Sequence, residues 1–219
     1  MNIKNVIFDL DGTLLDTTEG VLESVKYAVS QLGYDLLDQE TMLEFVGPPI
    51  QESFMRFYGC DIDTAQNAAN IFRDYYKDVA LLKAEPYDNI FELCDILKSN
   101  GIKMAVATYK REDYAIKLLK HYNFDRYCNP IHGADNNNNL RKEDIVYLCL
   151  KEMGATNENS VLVGDTVHDA NGAAKAKTPF IAVTYGFGFK TTKEAEQYEN
   201  IGVASNTIDI ARIILGEKI

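Results

Sequence analysis

Short apolar runs of strand length alternate with helical segments along most of this chain, and this alternation limits the fold more than any other feature. The strand-like runs lie at residues 3–9, 103–108, 160–164 and 179–184, with a weaker one at 128–132. Amphipathic helices are predicted at residues 88–100, 111–122, 143–152 and 168–177. Strands and helices that alternate in this way form a parallel sheet with helices on both faces. The predicted fold is therefore α/β, a doubly wound parallel sheet.

One interval interrupts this alternation. Residues 17–81 show helical patterns without a convincing strand, and glycine and proline residues divide them into short segments. We expect these residues to form an all-helical subdomain inserted after the first strand. Residues 1–16 and 82–219 would then form the α/β core. The asparagine run at residues 136–139 is expected to lie in an exposed loop.

The charge of the chain restricts its partners. A formal net charge of −11 at pH 7 opposes sequence-independent binding to nucleic acid, because such binding requires a basic surface. For the same reason we expect no association with an anionic membrane surface. A phosphorylated substrate would also be repelled at long range. A phosphate site here therefore needs local positive charge, from a metal ion or from a lysine.

The remaining composition is that of an ordinary globular protein. The 219 residues are 46% hydrophobic and 25% charged, close to the average for soluble domains. The four cysteines are scattered and form no C-x-x-C pair, so we expect reduced thiols. We recognise no signal sequence and no apolar run near the roughly 18 residues that a membrane span needs. We expect a cytoplasmic protein, either a monomer or a homodimer.

Two carboxylates follow the first predicted strand directly. The segment DLDGT places Asp9 and Asp11 at positions i and i+2, on the same face of an extended chain. Ligands of open parallel sheets bind outside the carboxyl ends of the strands, which is where this pair would lie. Two adjacent acids suit a hard cation such as Mg²⁺, and they can divide the work between a nucleophile and a proton donor. Alone, the pair could also be a polar turn.

A second acidic pair follows another predicted strand. Asp165 and Asp169 come after the run at residues 160–164, where a helix rich in small residues begins. Either residue could simply cap that helix. Because two acidic clusters stand at strand ends of one alternating fold, a shared magnesium site is the better interpretation.

Two further segments offer groups that bind phosphate. Thr108 ends the run at residues 103–108 and is followed by a helix, an arrangement suited to phosphate oxygens. Arg141 and Lys142 precede another predicted helix and could supply the required positive charge. Each has an ordinary alternative, since threonine often lies in a turn and a basic pair often lies on a solvated face.

The order of these motifs closely resembles that of the haloacid dehalogenase superfamily of phosphotransferases. The motifs are DLDGT at Asp9, AT at Thr108, a lysine at a helix start, and GD at Asp165 with a further aspartate four residues on. The resemblance covers nearly the whole chain. It is closest to phosphoglycolate phosphatase-like members, through DGTLLDT, GPP and VGDTVHD. Residues 17–81 resemble the helical cap that these enzymes insert after the first motif.

The resemblance implies a Mg²⁺-dependent phosphatase that acts on a small phosphorylated metabolite through a phosphoryl-aspartate intermediate. Asp9 would be the nucleophile, and Asp11 would be the general acid and base. The metal would be bound by Asp9, by the backbone carbonyl of Asp11 and by Asp165, with Asp169 in support. The cap would choose the substrate, with Arg56 as one candidate contact.

Thr108 would hold the phosphate in this scheme, and Lys142 would offset its charge. The Lys-Pro sequence common in the family is absent at Lys142, so Lys110 and Arg141 remain alternatives. The loop of alternating aromatic and glycine residues at 185–189 is expected to border the pocket.

Several related functions remain open. A nucleotidase or pyrophosphatase of the same superfamily would use the same core. A β-phosphoglucomutase-like sugar-phosphate mutase would use the same nucleophile but return the phosphate to its substrate. A dehalogenase is disfavoured, because that reaction has no need of Asp11 as a second acid. Outside the enzymes, a phospho-accepting receiver module also uses an aspartate and Mg²⁺. The acceptor of such a module follows a strand in the middle of its sequence, whereas Asp9 follows the first strand.

Overall fold

A parallel sheet forms the centre of the larger part of the protein. The computed structural model describes residues 2–135 and 139–216, so most of the predicted asparagine loop lies outside the described residues. The strands are β1 (Asn5–Phe8), β2 (Leu15–Asp16), β3 (Glu85–Pro86), β4 (Lys103–Arg111), β5 (Cys128–Ala134), β6 (Ser160–Gly164), β7 (Phe180–Val183) and β8 (Gly202–Ala204). Six of them form one sheet in the order β5-β4-β1-β6-β7-β8, and β2 pairs with β3. The sheet pairs are parallel, which with the flanking helices confirms the predicted α/β fold.

Helices connect these strands and also fill the interval that interrupts the alternation. They are α1 (Thr18–Leu32), α2 (Gln39–Leu43), α3 (Ile50–Tyr58), α4 (Ile62–Tyr75), α5 (Ile90–Ser99), α6 (Glu112–His121), α7 (Lys142–Met153), α8 (Val167–Ala176), α9 (Thr192–Ala195) and α10 (Thr207–Leu215). Within residues 2–135 and 139–216, no helix combines the length and the apolar character that crossing a membrane demands.

The central position of β1 follows from its sequence and determines where the site lies. All four residues of β1 are buried, as expected for a strand covered on both faces. Phe8, its last residue, pairs with Val106 of β4 and with Val163 of β6. The residues that follow these three positions therefore emerge together at the carboxyl edge of the sheet.

One face of the sheet is packed against α7 and α8. Ile7 of β1 and Leu162 of β6 belong to a single buried cluster with Ile145 and Cys149 of α7 and with Ala173 of α8. Burial of aliphatic side chains on this scale is the main favourable term for folding. It also fixes the start of both helices relative to the carboxyl edge of the sheet.

The chain divides into two compact units. One consists of Met1–Leu15 and Pro86–Ile219, and the other of Asp16–Glu85. The second unit contains α1 to α4, and α4 continues into a π-helical turn at Tyr76–Ala80.

The interior of the second unit combines aliphatic and aromatic side chains. The ring of Phe45 packs edge-on against that of Phe54, with the centroids 5.4 Å apart. Arg56, the candidate substrate contact, forms an ion pair with Glu44 at 2.8 Å. Both partners of that pair are largely exposed, so the pair contributes little to stability.

Candidate active site

Three buried carboxylates meet at the carboxyl edge of the sheet. Asp9 follows β1, Asp165 follows β6, and Asp169 lies in the first turn of α8. One carboxylate oxygen from each of these residues lies within 4.8 Å of the others. The residues are only 7%, 0% and 1% exposed, respectively. The fold thus brings acids from both acidic clusters of the sequence to one place.

A single ammonium group lies between two of these acids. The Nζ atom of Lys142, at the start of α7, is 2.6 Å from Oδ1 of Asp9 and 2.6 Å from Oδ1 of Asp169. Lys142 is buried, and its backbone N–H donates to the hydroxyl of Tyr109 at 3.0 Å. Its neighbour Arg141 is exposed. Of the two residues in this basic pair, Lys142 therefore reaches the carboxylates.

Asp11 and Thr108 lie beside a second lysine. The Nζ atom of Lys110 is 2.9 Å from Oδ1 of Asp11, and both side chains are almost fully buried. Thr108 is 1% exposed, and its hydroxyl oxygen accepts a hydrogen bond from the backbone N–H of Lys110 at 3.1 Å. Lys110 thus pairs with Asp11, whereas Lys142 pairs with Asp9.

The start of α8 holds Asp169 in place. Its Oδ2 atom accepts hydrogen bonds from the backbone N–H of Thr166 at 3.0 Å and from the Thr166 hydroxyl at 2.6 Å. Thr166 in turn accepts from the backbone N–H of Asp169, which completes a reciprocal helix cap. Asp169 therefore caps its helix with one oxygen and contacts Lys142 with the other.

The loop after β7 binds Asp165, although the sequence indicated only that this loop would border the pocket. The backbone N–H groups of Phe187 and Gly188 donate to Oδ2 of Asp165 at 2.7 and 3.1 Å. A Cβ atom on Gly186 would lie 2.2 Å from the backbone oxygen of Gly12, so the two turns touch. The alternating glycines of this loop are the signal that could have indicated such a close backbone approach.

The turn after β1 requires a glycine. Gly12 has a φ of +84°, in the left-handed region, and a Cβ atom there would lie 2.3 Å from Oδ2 of Asp165. The hydroxyl of Thr13 donates to Oδ1 of Asp165 at 3.5 Å. The last two residues of DLDGT therefore shape the surroundings of an acid that lies far away in the sequence.

Burial dominates the electrostatics of these acids. It raises the pKa of Asp9 to about 8, although Lys142 opposes the shift. It also raises the pKa of Asp165 to about 7, and the nearby charge of Asp169 adds to this. Burial disfavours the charged form of Lys142, but Asp169 and Asp9 more than offset that effect and keep its pKa above the usual value. Full ionisation of these acids needs more positive charge than Lys142 supplies.

The donor atoms fit a hard divalent cation. Among the described residues, the carboxylates of Asp9, Asp11, Asp165 and Asp169 stand near the ammonium groups of Lys110 and Lys142, so a net charge of about −2 remains to be balanced when all are ionised. Mg²⁺ prefers carboxylate and carbonyl oxygens of this kind. The residues that could hold it are Asp9, Asp11 through its carbonyl, and Asp165, with Asp169 nearby.

Named relatives with similar sequences include a nucleotidase. A 5'-nucleotidase of Pseudomonas aeruginosa is 35% identical over 198 residues, which cover 90% of both chains. The tyrosine-protein kinase PtkA of Mycobacterium tuberculosis is 32% identical over 84% of this chain and 62% of its own length. A phosphoglycolate phosphatase of Agrobacterium fabrum is 30% identical over 83% of this chain and 80% of its own.

The chain also matches a solved structure and the model of a protein family. The crystal structure of a predicted phosphatase from Clostridium acetobutylicum superimposes with a TM-score of 0.92 at 32% identity, covering 98% of this chain and 99% of that one. The model of the haloacid dehalogenase-like hydrolases matches residues 6–183, which include every acid of the site. The chain belongs to the haloacid dehalogenase-like hydrolase family, as one of its phosphatases.

Proposed function

We propose that this phosphatase is Mg²⁺-dependent and that it hydrolyses a small phosphorylated metabolite through a phosphoryl-aspartate on Asp9. The observation that carries the proposal is the position of Asp9. It is buried, 2.6 Å from the Lys142 ammonium, and within 4.8 Å of two further acids. A carboxylate so placed can be kept ionised by cations and can approach phosphorus.

Mg²⁺, when bound by Asp9, the Asp11 carbonyl and Asp165, would supply positive charge that lets a carboxylate approach an anionic phosphate. In the first step an oxygen of Asp9 forms a bond to phosphorus while the bond from phosphorus to the ester oxygen breaks. Asp11 donates a proton to the departing alkoxide. The products of this step are an alcohol and phosphorylated Asp9.

The second step returns the enzyme to its starting state. Asp11, now a carboxylate, takes a proton from water as the water oxygen attacks phosphorus and the bond to Asp9 breaks. Thr108 and Lys142 hold the phosphoryl oxygens in both steps, since transfer depends mainly on position and charge. Phosphate then leaves.

The proposed substrate is a small phosphomonoester. We propose a phosphoglycolate-like phosphomonoester, with the helical unit Asp16–Glu85 acting as the cap that selects it. A nucleoside 5'-monophosphate is the second candidate, favoured by the 5'-nucleotidase relative at 35% identity.

A panel of phosphorylated metabolites tests the proposal. The wild-type protein should release phosphate from at least one ester in the presence of Mg²⁺, and EDTA should stop the release. Asp9→Asn should abolish it, because the amide is a poor nucleophile. Asp125→Asn, the same change at an exposed aspartate, is the control and should retain activity. No release from any ester by the wild-type protein would contradict the proposal.

A further inference from the structure

Lys110 has a buried ammonium group that the proposed reaction does not use. Its Nζ atom lies 2.9 Å from Oδ1 of Asp11, and the side chains are 8% and 11% exposed. Burying two charges costs free energy that their attraction only partly returns, so such a pair is weak evidence for a purely stabilising role. Its position beside the proposed acid and base suggests another purpose.

The neighbouring strands β1 and β4 bring Lys110 and Asp11 to the same edge of the sheet. Thr108 and Lys110 are two residues apart near the end of β4, where the pairing of β4 with β5 shifts register between Ala107 and Arg111. Asp9 and Asp11 are likewise two residues apart after β1. Because β1 and β4 are neighbours with Phe8 beside Val106, the residues that follow these two positions emerge at the same edge of the sheet, where the Lys110 ammonium meets the Asp11 carboxylate.

Lys110 also contacts the proposed phosphate-binding hydroxyl. Its backbone N–H donates to the hydroxyl oxygen of Thr108 at 3.1 Å. A hydroxyl that accepts in this way still has its own hydrogen to donate, and the bond limits the directions in which that hydrogen points. One residue therefore orients Thr108 through its backbone and Asp11 through its side chain.

We propose that Lys110 is a positioning residue that acts through Asp11. Its ammonium group holds the Asp11 carboxyl group in the orientation that meets the leaving oxygen in the first step and the attacking water in the second. The inference rests on the proposed function of Asp11 as acid and base. It differs from direct phosphate binding, in which Lys110 would contact the substrate itself.

A double-mutant cycle separates these two roles. Lys110→Met keeps the backbone N–H and most of the side-chain length but removes the charge. With an alkyl phosphate substrate we expect kcat to fall about 10- to 100-fold and KM to change by less than about threefold, as for loss of an interaction made in the transition state. Asp11→Asn combined with Lys110→Met should be no slower than Asp11→Asn alone, within about twofold. Lys110→Arg should restore part of kcat.

If the double mutant loses kcat by the product of the two single-mutant losses, the inference is overturned. It is also overturned if Lys110→Met raises KM with kcat unchanged, or if Lys110→Met is as fast as wild type. The double mutant also guards against misfolding, because removing both charges leaves no buried ion without a partner. If Lys110→Met alone does not fold, the double mutant and Lys110→Arg decide. A part-active Lys110→Arg enzyme, with the double mutant equal to Asp11→Asn, supports the inference, and any other result overturns it. Inactive wild-type protein would instead contradict the proposed function.

Discussion

Lys142 shares one ammonium group between Asp9 and Asp169, and all three side chains are buried. Removing the lysine would leave two neighbouring buried carboxylates without the cation that they share. We therefore expect Lys142→Met to lower the free energy of unfolding by about 3 to 5 kcal/mol in the absence of metal, and to abolish turnover. Urea unfolding followed by circular dichroism measures the first effect.

Lys175→Met provides a matched control. Lys175 pairs with Glu143 at 3.2 Å, but its side chain is 63% exposed. An exposed pair contributes little, so the change in the free energy of unfolding should stay within about 0.5 kcal/mol. Equal losses of unfolding free energy in the two variants would show that burial does not make the Lys142 ion pairs more stabilising than an exposed pair.

The sequence locates some residues of the site better than others. Asp9 and Asp165 follow strands, and strand ends of a parallel sheet meet at one edge, so their proximity could be predicted. The preference for Lys142 over Lys110 and Arg141 came from the family resemblance and not from the residues themselves, because it depends on which long side chain is buried and in which direction. Neither pattern nor spacing carries that information.

The turns after β1 and β7 form a single support for Asp165. The backbone of the second turn donates two hydrogen bonds to the Asp165 carboxylate, and Gly186 packs directly on the oxygen of Gly12. A methyl group at position 186 would separate the turns and displace this carboxylate. We expect Gly186→Ala to lower kcat/KM about 10- to 100-fold and to weaken Mg²⁺ binding, measured by kinetics and by metal titration.

Gly202→Ala is the corresponding control. The three atoms nearest to a Cβ atom there would all belong to the side chain of Ile213, the first at 2.9 Å, and no backbone atom is among them. Activity should therefore be nearly unchanged even if some stability is lost. Similar losses of activity in Gly186→Ala and Gly202→Ala would mean that the turns have no special part in the site.

Most helices and strands of the core were predictable, and most of the exceptions are short. Predicted bounds of α5 to α8 differ from the observed ones by at most two residues, because each helix has a clear apolar face. The three-residue β8 and the four-residue α9 are too short to show a period. α10 was also not predicted, although it has nine residues and an apolar face.

The two compact units have different proposed tasks: the α/β unit carries out the chemistry, and the helical unit Asp16–Glu85 selects the substrate. Replacing residues 16–85 with the matching segment of the Pseudomonas 5'-nucleotidase relative should therefore change the preferred ester. We expect the ratio of kcat/KM between a nucleoside 5'-monophosphate and phosphoglycolate to rise at least about 10-fold. Hydrolysis of p-nitrophenyl phosphate reports whether the core remains intact. An unchanged ratio in an active chimera would place substrate choice elsewhere.

Formation of a covalent bond between Asp9 and phosphorus is the step on which every other proposed residue role depends. Rapid quenching of the wild-type enzyme during turnover, followed by borohydride reduction and peptide mass analysis, would detect it. Borohydride converts an aspartyl phosphate to homoserine, so residue 9 should carry that change only when both Mg²⁺ and substrate are present. The mechanism would be contradicted if homoserine replaced a different aspartate. It would also be contradicted if phosphate were released while residue 9 stayed unmodified in every quenched sample.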